Sequence, residues 1–182
     1  MKIMKIWALA AVCGMVASVQ GASFTIDAIN DTPTPTVSLT AGQSFSVSVA
    51  PGQIWNAGAL PRWSDANGLT QDLYATGSDA SGQTAGTLIG ENYGLWSMDG
   101  FSAPYGALVG EINGGPYFLV GTSFSGTASA AGTLGLMYWD SYYGDNTGSI
   151  TANVSAPDGG LTIALLGGAL VGLQALRRKL SA

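Results

Sequence analysis

Ser44-Phe45-Ser46-Val47-Ser48-Val49 alternates strictly between hydroxyl and apolar side chains. Successive side chains on a strand point to opposite faces, so Phe45, Val47 and Val49 line one face and the serines the other. A helix cannot segregate the two sets. Ser23 to Ile29 repeats the pattern through Phe24, Ile26 and Ala28. Val37 to Leu39, Ala107 to Ile112, Tyr117 to Thr122, Thr133 to Trp139 and Ser149 to Val154 read as further strands. Turn-forming clusters separate them: Ala41-Gly42, Asn113-Gly114-Gly115-Pro116, Ala131-Gly132 and Gly144-Asp145-Asn146. Short strands punctuated in this way predict an all-β domain, a β-sandwich or jelly roll. No segment of the body offers a convincing amphipathic helix. Pro61 to Pro104 is rich in Gly, Ser, Asp and aromatics without clear periodicity. It is expected to be a long loop that is either functional or partly disordered, with room for one or two strands that periodicity does not place.

Both ends of the chain differ from this body. Lys2 and Lys5 precede an apolar run, Ile6 to Val19, and Val19-Gln20-Gly21 before Ala22 has the small residues of a signal-peptidase site. Residues 1–21 therefore read as a signal peptide. Cys13 lies inside the apolar run, not at its end, which argues against a lipoprotein signal. Its loss with the signal would leave the body, 22–155, without cysteine, hence without disulfides or thiolate chemistry. At the other end, Ala156-Pro157-Asp158-Gly159-Gly160 breaks regular structure. An uncharged run, 161–176, and the basic Arg177-Arg178-Lys179 follow. At ~1.5 Å per residue that run spans only ~24 Å as a helix, against a hydrocarbon core of ~30 Å. It reads as a short membrane span or a processing signal, with the basic end cytoplasmic and the body outside.

Charge and composition narrow the function. Five of the six basic residues lie in these terminal segments, and only Arg62 belongs to the body. Ten carboxylates lie between Asp27 and Asp145, so the body carries a net charge of −9. Nucleic acid and anionic membrane are poor partners for such a surface, whereas divalent cations and neutral glycans suit it. The chain has no histidine, which removes the commonest general base and the usual zinc ligands. The expectation is a protein that is not an enzyme. A glycosidase would need two suitably separated carboxylates, and the spacing of Asp and Glu offers no support for that pair.

The chemistry gathers in Asp140-Ser141-Tyr142-Tyr143-Gly144-Asp145-Asn146-Thr147-Gly148, between two expected strands. A tight loop brings the Asp140 and Asp145 carboxylates near the Asn146 amide, and such mixed oxygen ligands are what Ca²⁺ takes. The same residue types also fill an ordinary hairpin turn for backbone reasons alone. The spacing is not that of an EF-hand.

Two resemblances extend this reading. The tripartite tail, with Pro157, Asp158, Gly159 and Gly160 before the apolar run and Arg177, Arg178 and Lys179 after it, resembles the PEP-CTERM class of bacterial sorting signals in a Pro-Asp-Gly-Gly variant. That resemblance implies export through the inner membrane and processing by signal peptidase and an exosortase. Membrane attachment through the tail helix would precede cleavage near Pro157. The destination would be the cell surface, outer envelope or extracellular matrix, often with exopolysaccharide. Tyr105 to Ile112, Pro116 to Gly121, Gly132 to Leu136 and the Asp140 to Gly148 loop, with Thr40 to Val47 more faintly, resemble the calcium-dependent galactophilic (PA-I-type) lectins of bacteria and their galactose-binding-like fold. The resemblance implies a calcium site with side-chain oxygens from Asp140, Asp145 and Asn146, a backbone carbonyl from Tyr142 and another from near Asn56. The lectins usually have Asn where Asp145 stands.

In the lectins a His and a Gln from the long connection bind the sugar, and this chain has no His. Its own long segment offers Trp63, Tyr74, Tyr93 and Trp96 as faces on which a glycan could stack. The same aromatics also suit a satellite core beneath a long loop. The leading expectation is a calcium-dependent carbohydrate-binding surface protein. The alternative is a structural matrix protein of the same fold without a sugar ligand.

Overall fold

The computed structural model describes residues 19–157 together with 168, 172–174 and 177. The latter five are helical and fall in a compact unit separate from the body, which spans Val19–Gly159. No helix of the described residues is long and apolar enough to cross a membrane. The expected signal peptide up to residue 18 lies outside the described residues, as do Asp158, Gly159, Gly160, Arg178, Lys179 and most of the apolar run.

The body contains β1 (Val19–Asp27), β2 (Thr34–Leu39), β3 (Ser44–Val49), β4 (Trp55–Asn56), β5 (Trp63–Ser64), β6 (Leu73–Tyr74) and β7 (Leu88–Gly90). There follow β8 (Leu95–Met98), β9 (Phe101–Pro104), β10 (Leu108–Ile112), β11 (Phe118–Leu119), β12 (Ser123–Thr127), β13 (Gly132–Tyr138) and β14 (Ser149–Pro157). Two four-stranded antiparallel sheets, ordered β1-β14-β3-β12 and β11-β10-β13-β2, form a sandwich. The alternation in Ser44–Val49 places Phe45, Val47 and Val49 inward beside Ile26, Ile150 and Val154. Leu108, Ile112, Leu134 and Leu136 face them from the second sheet. Burying such a side chain fully is worth ~1.5–3 kcal/mol, so these facing rows dominate the sandwich.

The ladder runs past both expected domain boundaries. Gly21 pairs with Ser155, Gln20 with Ala156 and Val19 with Pro157, and Gln43 donates from Nε2 to the Pro157 carbonyl at 2.8 Å.

Two segments depart from the periodicity reading. The expected strand Tyr117 to Thr122 is short, because the N–H groups of Val120 and Gly121 both reach the Leu108 carbonyl and end the ladder. The chain then crosses to the other sheet as β12. That strand shows no apolar alternation, since Gly126 occupies the inward position after Phe124. A Cβ on Gly126 would lie 2.7 Å from the Phe124 ring, which covers that position itself.

The long segment from Pro61 holds β5 to β9. Its β8–β9 hairpin lies over the outer face of the second sheet. Val109, Met137 and Trp139 point that way, under Trp96, Met98, Phe101 and Tyr117. Strands β10 and β13 are therefore covered on both faces.

Candidate functional site

The loop after β13 is stitched to three elements. The Asn146 amide nitrogen donates to the Ala28 carbonyl beyond β1 at 3.1 Å. Thr147 exchanges both backbone hydrogen bonds with Asn56 of β4. Tyr143 packs against the core and donates its hydroxyl to the Tyr138 carbonyl at 3.2 Å; burial pushes that phenol up to about 12. Asn56 is fixed in turn by the fully buried Trp55. The Trp55 indole donates to the Gly106 carbonyl at 2.9 Å and meets the Tyr138 ring edge-on at 4.6 Å.

These constraints bury Asp140, Asn146 and Asn56, 6%, 2% and 7% exposed. Burial pushes the Asp140 carboxyl above the usual carboxylate range. The N–H groups of Ser141 and Tyr142 and the Asn146 side chain act against that rise, and the Asp145 charge adds to it. The Ser141 N–H donates to Asp140 Oδ1 at 2.6 Å, and the Tyr142 N–H, two residues on as in an ordinary Asx turn, also favours the carboxylate, so Asp140 caps the turn as well.

The two amides carry the most specific information. Asn146 Nδ2 faces the Ala28 carbonyl and Asn56 Nδ2 faces the Gly58 carbonyl. A carbonyl only accepts, so each amide must turn its nitrogen there and its oxygen the other way. Asn146 Oδ1 and Asn56 Oδ1 are thereby buried with no hydrogen-bond partner among the described residues. An unpartnered buried acceptor costs ~1–3 kcal/mol, so native proteins seldom leave two on segments bridged to each other, as these are. Two amide oxygens and a desolvated carboxylate suit a hard cation such as Ca²⁺. Among the described residues no three acidic, His or Cys side chains converge, so such a site would rest largely on amide oxygens. The Asn56 carbonyl accepts from the Thr147 N–H at 3.0 Å, which makes its side chain the freer donor of an oxygen.

Beside this cluster lies a cavity of about 120 Å³, walled by Ala57, Arg62, Tyr93, Tyr105, Asp140, Ser141, Tyr142 and Asp145. Tyr142 is exposed at its mouth. The Arg62 guanidinium carbon sits 4.7 Å from the Tyr93 ring centre, with Nη2 donating to the Tyr93 hydroxyl at 2.9 Å. Tyr93 meets Tyr105 edge-on at 5.3 Å.

Of the four aromatics read as ligand contacts, Tyr93 lines this cavity. Trp63 pairs with Asn56 across β4–β5 and packs with Ile54 and Ile89. Tyr74 is exposed on β6. Trp96 packs over the second sheet, takes the Trp139 indole N–H on its carbonyl at 2.9 Å, and has its own indole nitrogen buried. Arg62 and Tyr105 are wall residues that sequence reading did not single out. For Arg62 a signal existed, since it is the body's only base.

A larger concavity, about 480 Å³, lies on the outer face of the first sheet along Ser44, Ser46, Ser125, Thr127 and Ser155. It carries hydroxyls without a charged group.

No family model and no curated protein matches the chain. Among solved structures it is similar to one described as the EclA N-terminal domain, a PllA-like lectin. Identity is 23% over 74% of this chain and 94% of that chain, with a TM-score of 0.49.

Proposed function

We propose that this is an exported bacterial surface or matrix protein whose β-sandwich holds Ca²⁺ at the Asp140–Asn146 loop and binds a carbohydrate beside it. One observation carries the metal half: among the described residues, Asn56 Oδ1 and Asn146 Oδ1 are buried without hydrogen-bond partners on two segments joined by the Asn56–Thr147 bridge, and the desolvated Asp140 opens the same loop as Asn146. Asp140, Asn146 and Asn56 would hold the ion, with Asp145 of the adjoining cavity wall adding charge. A bound calcium would supply positive charge and open coordination positions for ligand hydroxyls. The chain's own part is to fix the oxygens in advance, through the Thr147–Asn56 bridge and the buried Trp55.

Tyr93 and Tyr105 give the adjoining cavity apolar walls, and Arg62 gives it donors. Aromatic faces and convergent polar groups are what sugar rings require. The exported, exosortase-sorted fate and the association with exopolysaccharide rest on the two terminal segments and their resemblance. No catalytic activity is proposed.

The small cavity favours a second reading, in which the same calcium serves rigidity alone. Typical ligand pockets are roughly 300–1,000 Å³, so a sugar here would be held by one edge only. Thermal unfolding of the full-length chain in EDTA and in excess Ca²⁺ tests the metal, and a glycan array with and without Ca²⁺ tests the sugar. A calcium-dependent rise with calcium-dependent glycan retention supports the first reading. A rise without retention leaves the second, and no rise removes both.

A further inference from the structure

We infer that the carbohydrate recognised at this cavity carries a carboxylate, as a uronic acid does, and that Arg62 selects it. This rests on the calcium-and-glycan reading above and goes beyond it in naming the ligand's charge.

The argument begins with placement. Arg62 is the one base between Lys5 and Arg177, and the fold sets it in the cavity wall that also holds Asp140 and Asp145. Its guanidinium lies over Tyr93 and is bonded to that hydroxyl, with a longer contact, 3.4 Å, to the Ala57 carbonyl. A planar guanidinium has five N–H donors, so this anchoring fixes its orientation while leaving donors for a ligand.

Charge then decides between ligand classes. Without metal, Arg62 stands beside Asp145, both converging on Gly58, and the wall carries one positive against two negative groups. A divalent cation held by the loop would balance Asp140 and Asp145 and leave the guanidinium without a counter-charge. A neutral hexose offers it hydroxyl acceptors only. A uronate offers a planar carboxylate matched to the guanidinium fork and restores neutrality. The net charge of −9 on the body disfavours anions in general, so selection by this one base is local.

The test compares methyl galacturonide and methyl glucuronide, each beside its neutral hexoside, by calorimetry on the full-length chain in saturating Ca²⁺. A charge-assisted pair predicts that at least one uronide binds about tenfold tighter than its neutral partner. Arg62→Gln should bring the two affinities together while keeping the calcium-induced rise in unfolding midpoint, and Arg62→Lys should fall between. Equal affinities in the parent, a preference that survives Arg62→Gln, or no binding of any of the four sugars would overturn the inference. Should Arg62→Gln not fold, Arg62→Lys carries the comparison. Loss of the calcium-induced rise in the parent is a separate readout, and it would sink the underlying metal reading itself.

Discussion

Asn56 and Thr147 exchange both of their backbone hydrogen bonds, at 2.9 and 3.0 Å, as an isolated antiparallel bridge between β4 and the loop before β14. The bridge ties Asn56 to the residue next to Asn146, so two amides remote in sequence enter one cluster without belonging to one sheet. Asn56→Ala and Asn146→Ala should each abolish the calcium-induced rise in unfolding midpoint. Mass action sets the stabilisation behind that rise at about 2.7 kcal/mol when calcium is a hundredfold above its dissociation constant. In EDTA Asn146→Ala should change stability little, because the lost donor to the Ala28 carbonyl and the relief of the unpartnered Oδ1 are opposing effects of about 1–3 kcal/mol each. Unchanged calcium shifts in both variants would falsify the metal site.

Asp140→Asn separates a metal ligand from a turn cap by sign. The buried carboxylate is costly to keep charged, as its raised pKa reflects. An amide oxygen can still accept from the Ser141 N–H. In EDTA near neutral pH the variant should therefore match or exceed the parent's unfolding midpoint. In Ca²⁺ it should fall below the parent, having lost a charged ligand. A variant whose midpoint differs from the parent's by the same amount in both buffers would mark Asp140 as a cap alone.

Gly58 lies where Asp145 and Arg62 approach the backbone. It has φ +102°, and a Cβ there would clash with the Asp145 carboxylate and sit 3.6 Å from Arg62 Nη1. Gly82 also has positive φ, +65°, with nothing within 4 Å of a Cβ. Both Gly→Ala variants should lose about 1 kcal/mol to backbone strain. Only Gly58→Ala should also weaken calcium binding, by displacing Asp145. Calcium titration of both variants reads the difference, and equal affinities would show that Asp145 does not act at the site.

The contrast between β3 and β12 shows what was legible in the sequence. Phe45, Val47 and Val49 announce their own strand because each fills an inward position. In β12 the ring of Phe124 covers two such positions, so Gly126 carries no apolar signal and the pattern vanishes. The β8–β9 hairpin was hidden for another reason. It covers a sheet already buried on its inner face, and its aromatics look like ligand contacts until Trp139 and Met137 are seen beneath them. At the site, Asp140, Asp145 and Asn146 were readable as one loop. Arg62 stood out only as the body's single base, and neither it nor Tyr105 could be placed at the site, because only tertiary packing brings them to the cavity wall.

Trp139 makes that hairpin testable. Its indole donates to the Trp96 carbonyl at 2.9 Å, and its ring meets Phe101 at 5.3 Å and Tyr117 at 5.1 Å. Trp139→Phe keeps much of the ring packing and removes the donor. It should cost about 1–3 kcal/mol through the lost bond and the space left. Hydrogen exchange should rise mainly in Leu95–Pro104, with β3 and β14 unchanged. Uniform acceleration across both sheets would show that the hairpin is not a separable layer.

Asp79 supplies a pH dependence far simpler than that of the buried loop. Its carboxylate accepts from the hydroxyl and N–H of Ser81 and from the N–H and hydroxyl of Thr76, and these bonds hold its pKa at about 2 against an ordinary 3.8. A depressed folded pKa means that the ionised form is favoured by folding. The contribution is therefore complete above the ordinary value and lost as pH falls from about 4 through about 2. Asp79 is only partly buried, in a surface turn, so the effect should stay local: the 76–81 turn opens while the sandwich holds. Carboxyl NMR titration should give a midpoint near 2, and amide exchange at Ser81 should quicken over the same range in the parent. Asp79→Asn should be insensitive across it. A carboxyl midpoint at 3.8 would mean that the turn's hydrogen bonds do not favour the charged form, and that the turn is held by its glycines instead.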